Sequence, residues 1–168
     1  FLIDFGIKSN LNIIINVHLT STSLFTPLFS LNLFNKSSVN LGLNILNSKN
    51  KKLINSGCIN LIECNIHNNS QMNMVVSQQG INTARSDINV NLLEEKSQFH
   101  FNGVYFGRES HHNDITTSIN HISPDCVSNQ TVRGILDDKS VGVYQGGIKA
   151  YQNAQKTDGQ QMSRVLLL

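Results

Sequence analysis

The densest run of side chains able to do chemistry is Arg108-Glu109-Ser110-His111-His112-Asn113-Asp114, followed by His121 and by Asp125-Cys126. Imidazole, carboxylate and thiolate are ligands for iron or zinc, so His111, His112, His121 and Cys126 are the candidate metal ligands. Their spacing matches no compact metal signature. His121 shares parity with Ile115, Thr117 and Ile119, so a single uninterrupted strand would place it on their face. A histidine on an apolar face more often serves as a hydrogen-bonded core residue, and both readings are carried forward.

Other chemistry has less support. No Gly-x-Ser-x-Gly elbow is present, and Cys126 lies five residues from His121, so no catalytic residue is assigned. The paired carboxylates Glu94-Glu95 and Asp137-Asp138 sit in turn-like contexts, where solvated acids are expected. Gly142, Gly146 and Gly147 follow or interrupt strand-like runs and open no helix. They are read as close backbone packing or bulges, not as a phosphate loop. Cys58, Cys64 and Cys126 make an odd count with no paired zinc spacing. They read as small buried residues of a reducing compartment. The sequons at Asn68-Asn69-Ser70 and Asn129-Gln130-Thr131 are what chance places in a chain so rich in Asn and Ser.

The elements that must position these groups alternate with a period of two. Leu11, Ile13, Ile15, Val17 and Leu19 share one face, with Asn12, Asn16, His18 and Thr20 on the other and Ile14 as an exception. Val39, Leu41, Leu43 and Ile45 repeat the pattern against Asn40, Gly42 and Asn44. So do Ile62, Cys64 and Ile66, then Met72, Met74 and Val76, then Ile88, Val90 and Leu92. Such alternation marks strands that bury one face. Turn clusters separate them at Asn35-Lys36-Ser37-Ser38, Asn47-Ser48-Lys49-Asn50, Asn68-Asn69-Ser70 and Asp137-Asp138-Lys139-Ser140. Leu93-Glu94-Glu95-Lys96 is the best candidate for a single helical turn.

Many short strands at close spacing mean an all-β fold, and a sandwich, a barrel and a β-helix all fit. Three features favour the solenoid. Asn recurs inside the strands, where it can stack in hydrogen-bonded ladders between coils. The turns are rich in Asn and Gly, which suits positive φ. Proline is nearly absent, with two in the chain. No strict hexapeptide or nonapeptide repeat is visible.

The chain has 168 residues, enough for a single core domain over residues 1–168. Only 14% are charged and the formal net charge is +2, which gives no electrostatic case for a nucleic-acid or membrane-surface protein. No apolar run approaches the ~18 residues a membrane span needs. The chain starts at Phe1 and ends in the apolar run Val165-Leu166-Leu167-Leu168. Both ends read as cuts through a longer β-helix, whose exposed coils are expected to associate.

The last third carries more than generic β-structure. His121-x-x-Pro124-x-Cys126-x-Ser128-x-Gln130-x-x-Arg133-Gly134 leads into Gly142-Val143-Tyr144-Gln145-Gly146-Gly147-Ile148. Ala154-Gln155-Lys156-Thr157-Asp158-Gly159-Gln160 and Leu166-Leu167-Leu168 follow. With Ala84-Arg85-Ser86-Asp87 and Phe101-Asn102-Gly103-Val104-Tyr105 upstream, this resembles the core of the SufB/SufD family, subunits of the Suf iron–sulfur cluster assembly complex. The match is specific from about Ala84 to Leu168. The Ala-Gln-Lys-Thr-Asp stretch and the leucine run are more similar to the SufD branch.

The resemblance implies a right-handed parallel β-helix and a non-enzymatic scaffold. It implies pairing with a SufB-like subunit, work with a SufC-like ATPase, an iron–sulfur cluster handled by the whole complex, and a cytoplasmic or plastid location. Arg133 stands where the family commonly has Lys, and Arg164-Val165 where SufD chains often have Arg-Asn. The family's interface cysteine and histidine and its ATPase-binding helices lie beyond the leucine run, so no residue here inherits those roles. His121 and Cys126 match the family pattern as β-helix core positions. The alternatives are a secreted polysaccharide-cleaving β-helix enzyme, against which the eleven acidic residues show no cluster on one strand face, and an adhesin-type β-solenoid.

Overall fold

The structure, a computed structural model, describes residues 1–19, 24–47 and 56–168. Among these residues every regular element is a strand. In chain order they are β1 (Leu2–Phe5), β2 (Asn10–Leu19), β3 (Leu24–Phe25), β4 (Leu28–Leu33), β5 (Ser38–Asn47), β6 (Gly57–Ile66) and β7 (Gln71–Gln79). Then come β8 (Thr83–Leu92), β9 (Gln98–Gly107), β10 (His112–His121), β11 (Val127–Leu136), β12 (Val141–Ala150) and β13 (Asp158–Leu167).

Successive strands alternate between two sheets. One runs β1-β4-β6-β8-β10-β12, with β3 also on β6; the other runs β13-β11-β9-β7-β5-β2. Every described pairing is parallel and in register, as in Thr83 opposite His112 and Gln98 opposite Val127. This is a two-sheet parallel β-solenoid, the all-β coil stack that the alternation and the Asn-rich strands predict. Pro27 divides β3 from β4. It has no N–H for the ladder, but its carbonyl accepts from Leu61 N at 3.1 Å.

The period-two residues point where their parity sends them. Val39, Leu41, Leu43, Ile45, Ile62, Cys64, Ile66, Met72, Met74, Val76, Ile88, Val90 and Leu92 are all buried in one continuous core between the sheets. Each buried aliphatic side chain contributes roughly 1.5–3 kcal/mol. Ile14, out of phase, is 72% exposed on the outer face.

Outward Asn residues stack in register. One ladder climbs five coils: Asn32 Nδ2 donates to Asp4 Oδ1 (2.7 Å), Asn65 to Asn32 (2.9 Å), Asn91 to Asn65 (3.0 Å) and Asn120 to Asn91 (3.0 Å). On the other sheet Asn73 donates to Asn40 and Asn40 to Asn12.

The corners form a second column. Lys8, Lys36, Asn69, Lys96, Asp125 and Lys156 all have positive φ, one at each turn from the first sheet to the second. Gly80, Glu109 and Asp138 do the same at the opposite corner. The expectation of positive-φ corners holds, but glycine supplies one of these nine positions; Lys, Asp, Glu and Asn supply the rest. The strain of a non-glycine αL residue is offset by the ladder: Lys8, Lys36, Asn69 and Asp125 each donate a backbone N–H to a carbonyl of the next coil at 3.0–3.1 Å. Leu93–Lys96, expected as a helical turn, is one of these corners. Lys96 at φ 58° turns the chain into β9 in place of continuing a helix. The turn expected at Asn47-Ser48-Lys49-Asn50 lies outside the described residues after Asn47.

Candidate functional site

The polar run from Arg108 to Asp114 is a corner and a strand start. Arg108–His111 make the turn, and β10 begins at His112. His112 is exposed and its backbone N–H donates to Asn82 O at 2.7 Å. The His111 ring is half-buried, with Nδ1 buried and unpartnered among the described residues, and its pKa is lowered by burial. Arg108 lies 3.7 Å from Asp137 and 3.9 Å from Asp138, long distances for exposed ion pairs of little weight.

His121 stands at the far end of β10, about 30 Å away at the strand's rise. It faces inward with Thr117 and Ile119 and is fully buried. Thr157 Oγ1 donates to Cys126 O at 2.7 Å, so toward His121 it can only accept. That makes His121 Nδ1 the protonated nitrogen, donating to Thr157 Oγ1. Nε2 then accepts from Ser128 Oγ at 2.8 Å. Burial lowers its pKa, against a smaller opposing effect of Asp158. The imidazole is neutral and both nitrogens are engaged; it holds β10, β11 and the loop before β13 together.

Cys126 is the neighbour of His121 at this corner, but their link runs through the Cys126 carbonyl. Its Sγ lies 3.2 Å from Ser97 Oγ and 3.4 Å from Glu94 O, and the residue is fully buried. The structure therefore brings His121 and Cys126 to one corner and leaves His111 and His112 at the other. Among the described residues no group of three His, Cys, Asp or Glu is placed to hold a metal ion. All three cysteines are buried and unpaired.

β12 and β13 are the last strands of their sheets, each paired on one side only among the described residues. Val141, Val165, Leu166 and Leu167 are exposed by 44–73% along them. Such an edge is completed by whichever strand comes next, of the same polypeptide or of another. Beneath this end the lumen changes character. Tyr144 Oη lies 3.3 Å from both Gln130 Oε1 and Thr117 Oγ1; Ser128 is the next inward residue on β11, and His121 lies two inward positions beyond Thr117 on β10. Gln130 shares the inward parity of Ser128 and Val132; a polar residue at a core phase was the available signal, and the sequence reading did not use it. At the opposite end Phe1, Ile3, Ile15, Leu24, Phe25 and Phe29 line an apolar cavity of about 610 Å³.

None of the curated proteins compared with the chain matches it. A family model described as "SUF system FeS cluster assembly, SufBD core domain" matches residues 1–168. That span includes the first eighty residues, where strand alternation alone carried the resemblance. The solenoid built from these coils is therefore the core domain of a SUF-system protein, and the chain belongs to the SufBD family of iron–sulfur cluster assembly.

Proposed function

We propose that this chain is a SufD-like scaffold subunit that pairs with a SufB-like subunit and works with a SufC-like ATPase, without a reaction of its own. The observation that supports it most directly is the family match over residues 1–168, joined to a parallel coil stack whose strands stay in register.

The scaffold role follows from stiffness. Parallel pairing, Asn ladders and a continuous core resist bending along the axis, so a shift imposed at one end is passed on as a rigid-body motion. The iron–sulfur cluster is the cargo of the assembled complex on this reading, and the buried His121 and Cys126 serve the fold. The location that fits is the cytoplasm, or a plastid in a plant or alga.

Co-expression with tagged SufB-like and SufC-like subunits tests the reading. The protein is expected to co-purify in stoichiometric amount with the SufB-like chain. A protein that binds neither subunit overturns the proposal.

A further inference from the structure

The outer face of the sheet that contains β13 carries a surface of its own. Arg133 on β11 and Arg164 on β13 are register partners and both point outward. Like charges directly opposite on neighbouring strands destabilise a sheet. Neither guanidinium has a carboxylate within ion-pair distance among the described residues. The arginines that do, Arg85 and Arg108, lie on the other sheet and its corner. Beside the pair runs an apolar floor: Val104 is 44% exposed, Ile135 38% and Leu166 56%. Arg133, Ile135 and Val104 sit on β11 and β9, which are flanked on both sides, so their exposure belongs to the face and not to the end of the stack. Together these residues line a groove of about 390 Å³.

We propose that this groove docks an acidic, leucine-rich segment of a partner protein, its carboxylates on Arg133 and Arg164 and its apolar side chains on Val104, Ile135 and Leu166. Two adjacent guanidiniums without acids are complementary to carboxylates, which Arg binds through parallel N–H donors. An apolar floor beside them selects a protein segment over a nucleic acid, whose backbone would leave that floor uncovered. The surface includes Arg164 and Leu166 of the last described strand, and its peptide test needs neither SUF subunit.

Fluorescence anisotropy with a short labelled peptide of glutamate and leucine is the test, with a glutamine-for-glutamate twin and a single-stranded thymidine oligonucleotide as the other probes. The acidic peptide should bind, and the twin should bind about tenfold more weakly. The double variant Arg133→Gln with Arg164→Gln and the single variant Ile135→Gln should each weaken the acidic peptide about tenfold. Removing the like-charged pair should leave the urea midpoint unchanged or raise it, so that lost binding is not lost folding. Four results overturn the proposal: no binding of the acidic peptide, equal binding of the twin, preference for the oligonucleotide, or a lowered urea midpoint in the double variant.

Discussion

The ring of Tyr105 occupies the space that a side chain on Gly134 would need. The two residues are register partners on β9 and β11, and a Cβ at Gly134 would lie far inside van der Waals contact with the ring. A Cβ at Gly142, on the facing sheet, would come within 2.5 Å of the same ring. Tyr105 is 1% exposed, so it has nowhere to retreat. Gly134→Ala should destabilise the protein by about 1–3 kcal/mol through overpacking. In a Tyr105→Ala background, where the ring is gone, the same change should be nearly neutral or stabilising. Urea unfolding of the four proteins of this double-mutant cycle measures the difference; additive effects would contradict the contact.

That glycine also shows where sequence reading stops. Alternation placed the aliphatic rows from Val39 to Leu92 in the core, because a parity error would expose a whole strand face. The Asn stacks were legible for the same reason: outward Asn recurs at one phase. The coil period was not. Ladder partners are 28 residues apart at Asn16 and Asn44, 33 at Asn44 and Ser77, 26 at Asn65 and Asn91, and 29 at Asn91 and Asn120. Strands keep their length while corners do not, so no fixed repeat survives in the sequence. The fit of Tyr105 against Gly134 and Gly142 joins residues from three strands through side-chain volume, which spacing does not encode. Gly142 was read as close backbone packing or a bulge; its close neighbour is the Tyr105 ring, which was not visible.

The five-rung ladder should respond by position. Asn91 both donates to Asn65 and accepts from Asn120, each at 3.0 Å, whereas Asn120 makes only the bond below it within this ladder. Asn91→Ala should therefore destabilise by about 1–2 kcal/mol, and Asn120→Ala by about half as much. Asn91→Asp should be worse than Asn91→Ala at neutral pH, because a carboxylate cannot donate to Asn65 Oδ1. Equilibrium urea unfolding gives the ranking; equal losses at the two rungs would show that the ladder is not the source of the stability.

Acid should loosen the solenoid before the carboxylates titrate. His121 is held neutral in the folded state, with its pKa lowered by burial, and His111 is shifted the same way. The unfolded chain takes up protons on these rings near pH 6.5 while the folded chain does not. Stability is thus fully present above about pH 6.5 and is lost as pH falls toward the lowered folded values. Protonation would also take the Nε2 lone pair from Ser128. The urea midpoint should fall between about pH 7.5 and about pH 5.5, and His121→Gln should flatten part of that slope. Nitrogen NMR should show the proton on Nδ1 at neutral pH. A slope unchanged by His121→Gln would remove this histidine from the account.

The cysteines provide a readout of coil opening. Burial pushes the Cys58 thiol up to about 11, only partly offset by its hydrogen bond with Asn60, and pushes Cys64 further in the same direction. The thiolate is the reacting species, so at about pH 8 these groups are nearly all protonated as well as shielded. Cys58 lies in the row of Ala84 on β8, and Cys64 in the row of Leu31 and Val90, deep in the core. Native protein should therefore react with a disulfide reagent on the order of a hundredfold more slowly than urea-unfolded protein. Cys58, beside the short β3 pairing at Phe25, should label before Cys64, which is held between the full ladders of β4 and β8. Mass spectrometry of partly labelled protein resolves the order. Simultaneous labelling of Cys58 and Cys64 would mean that the stack opens as one unit and not coil by coil.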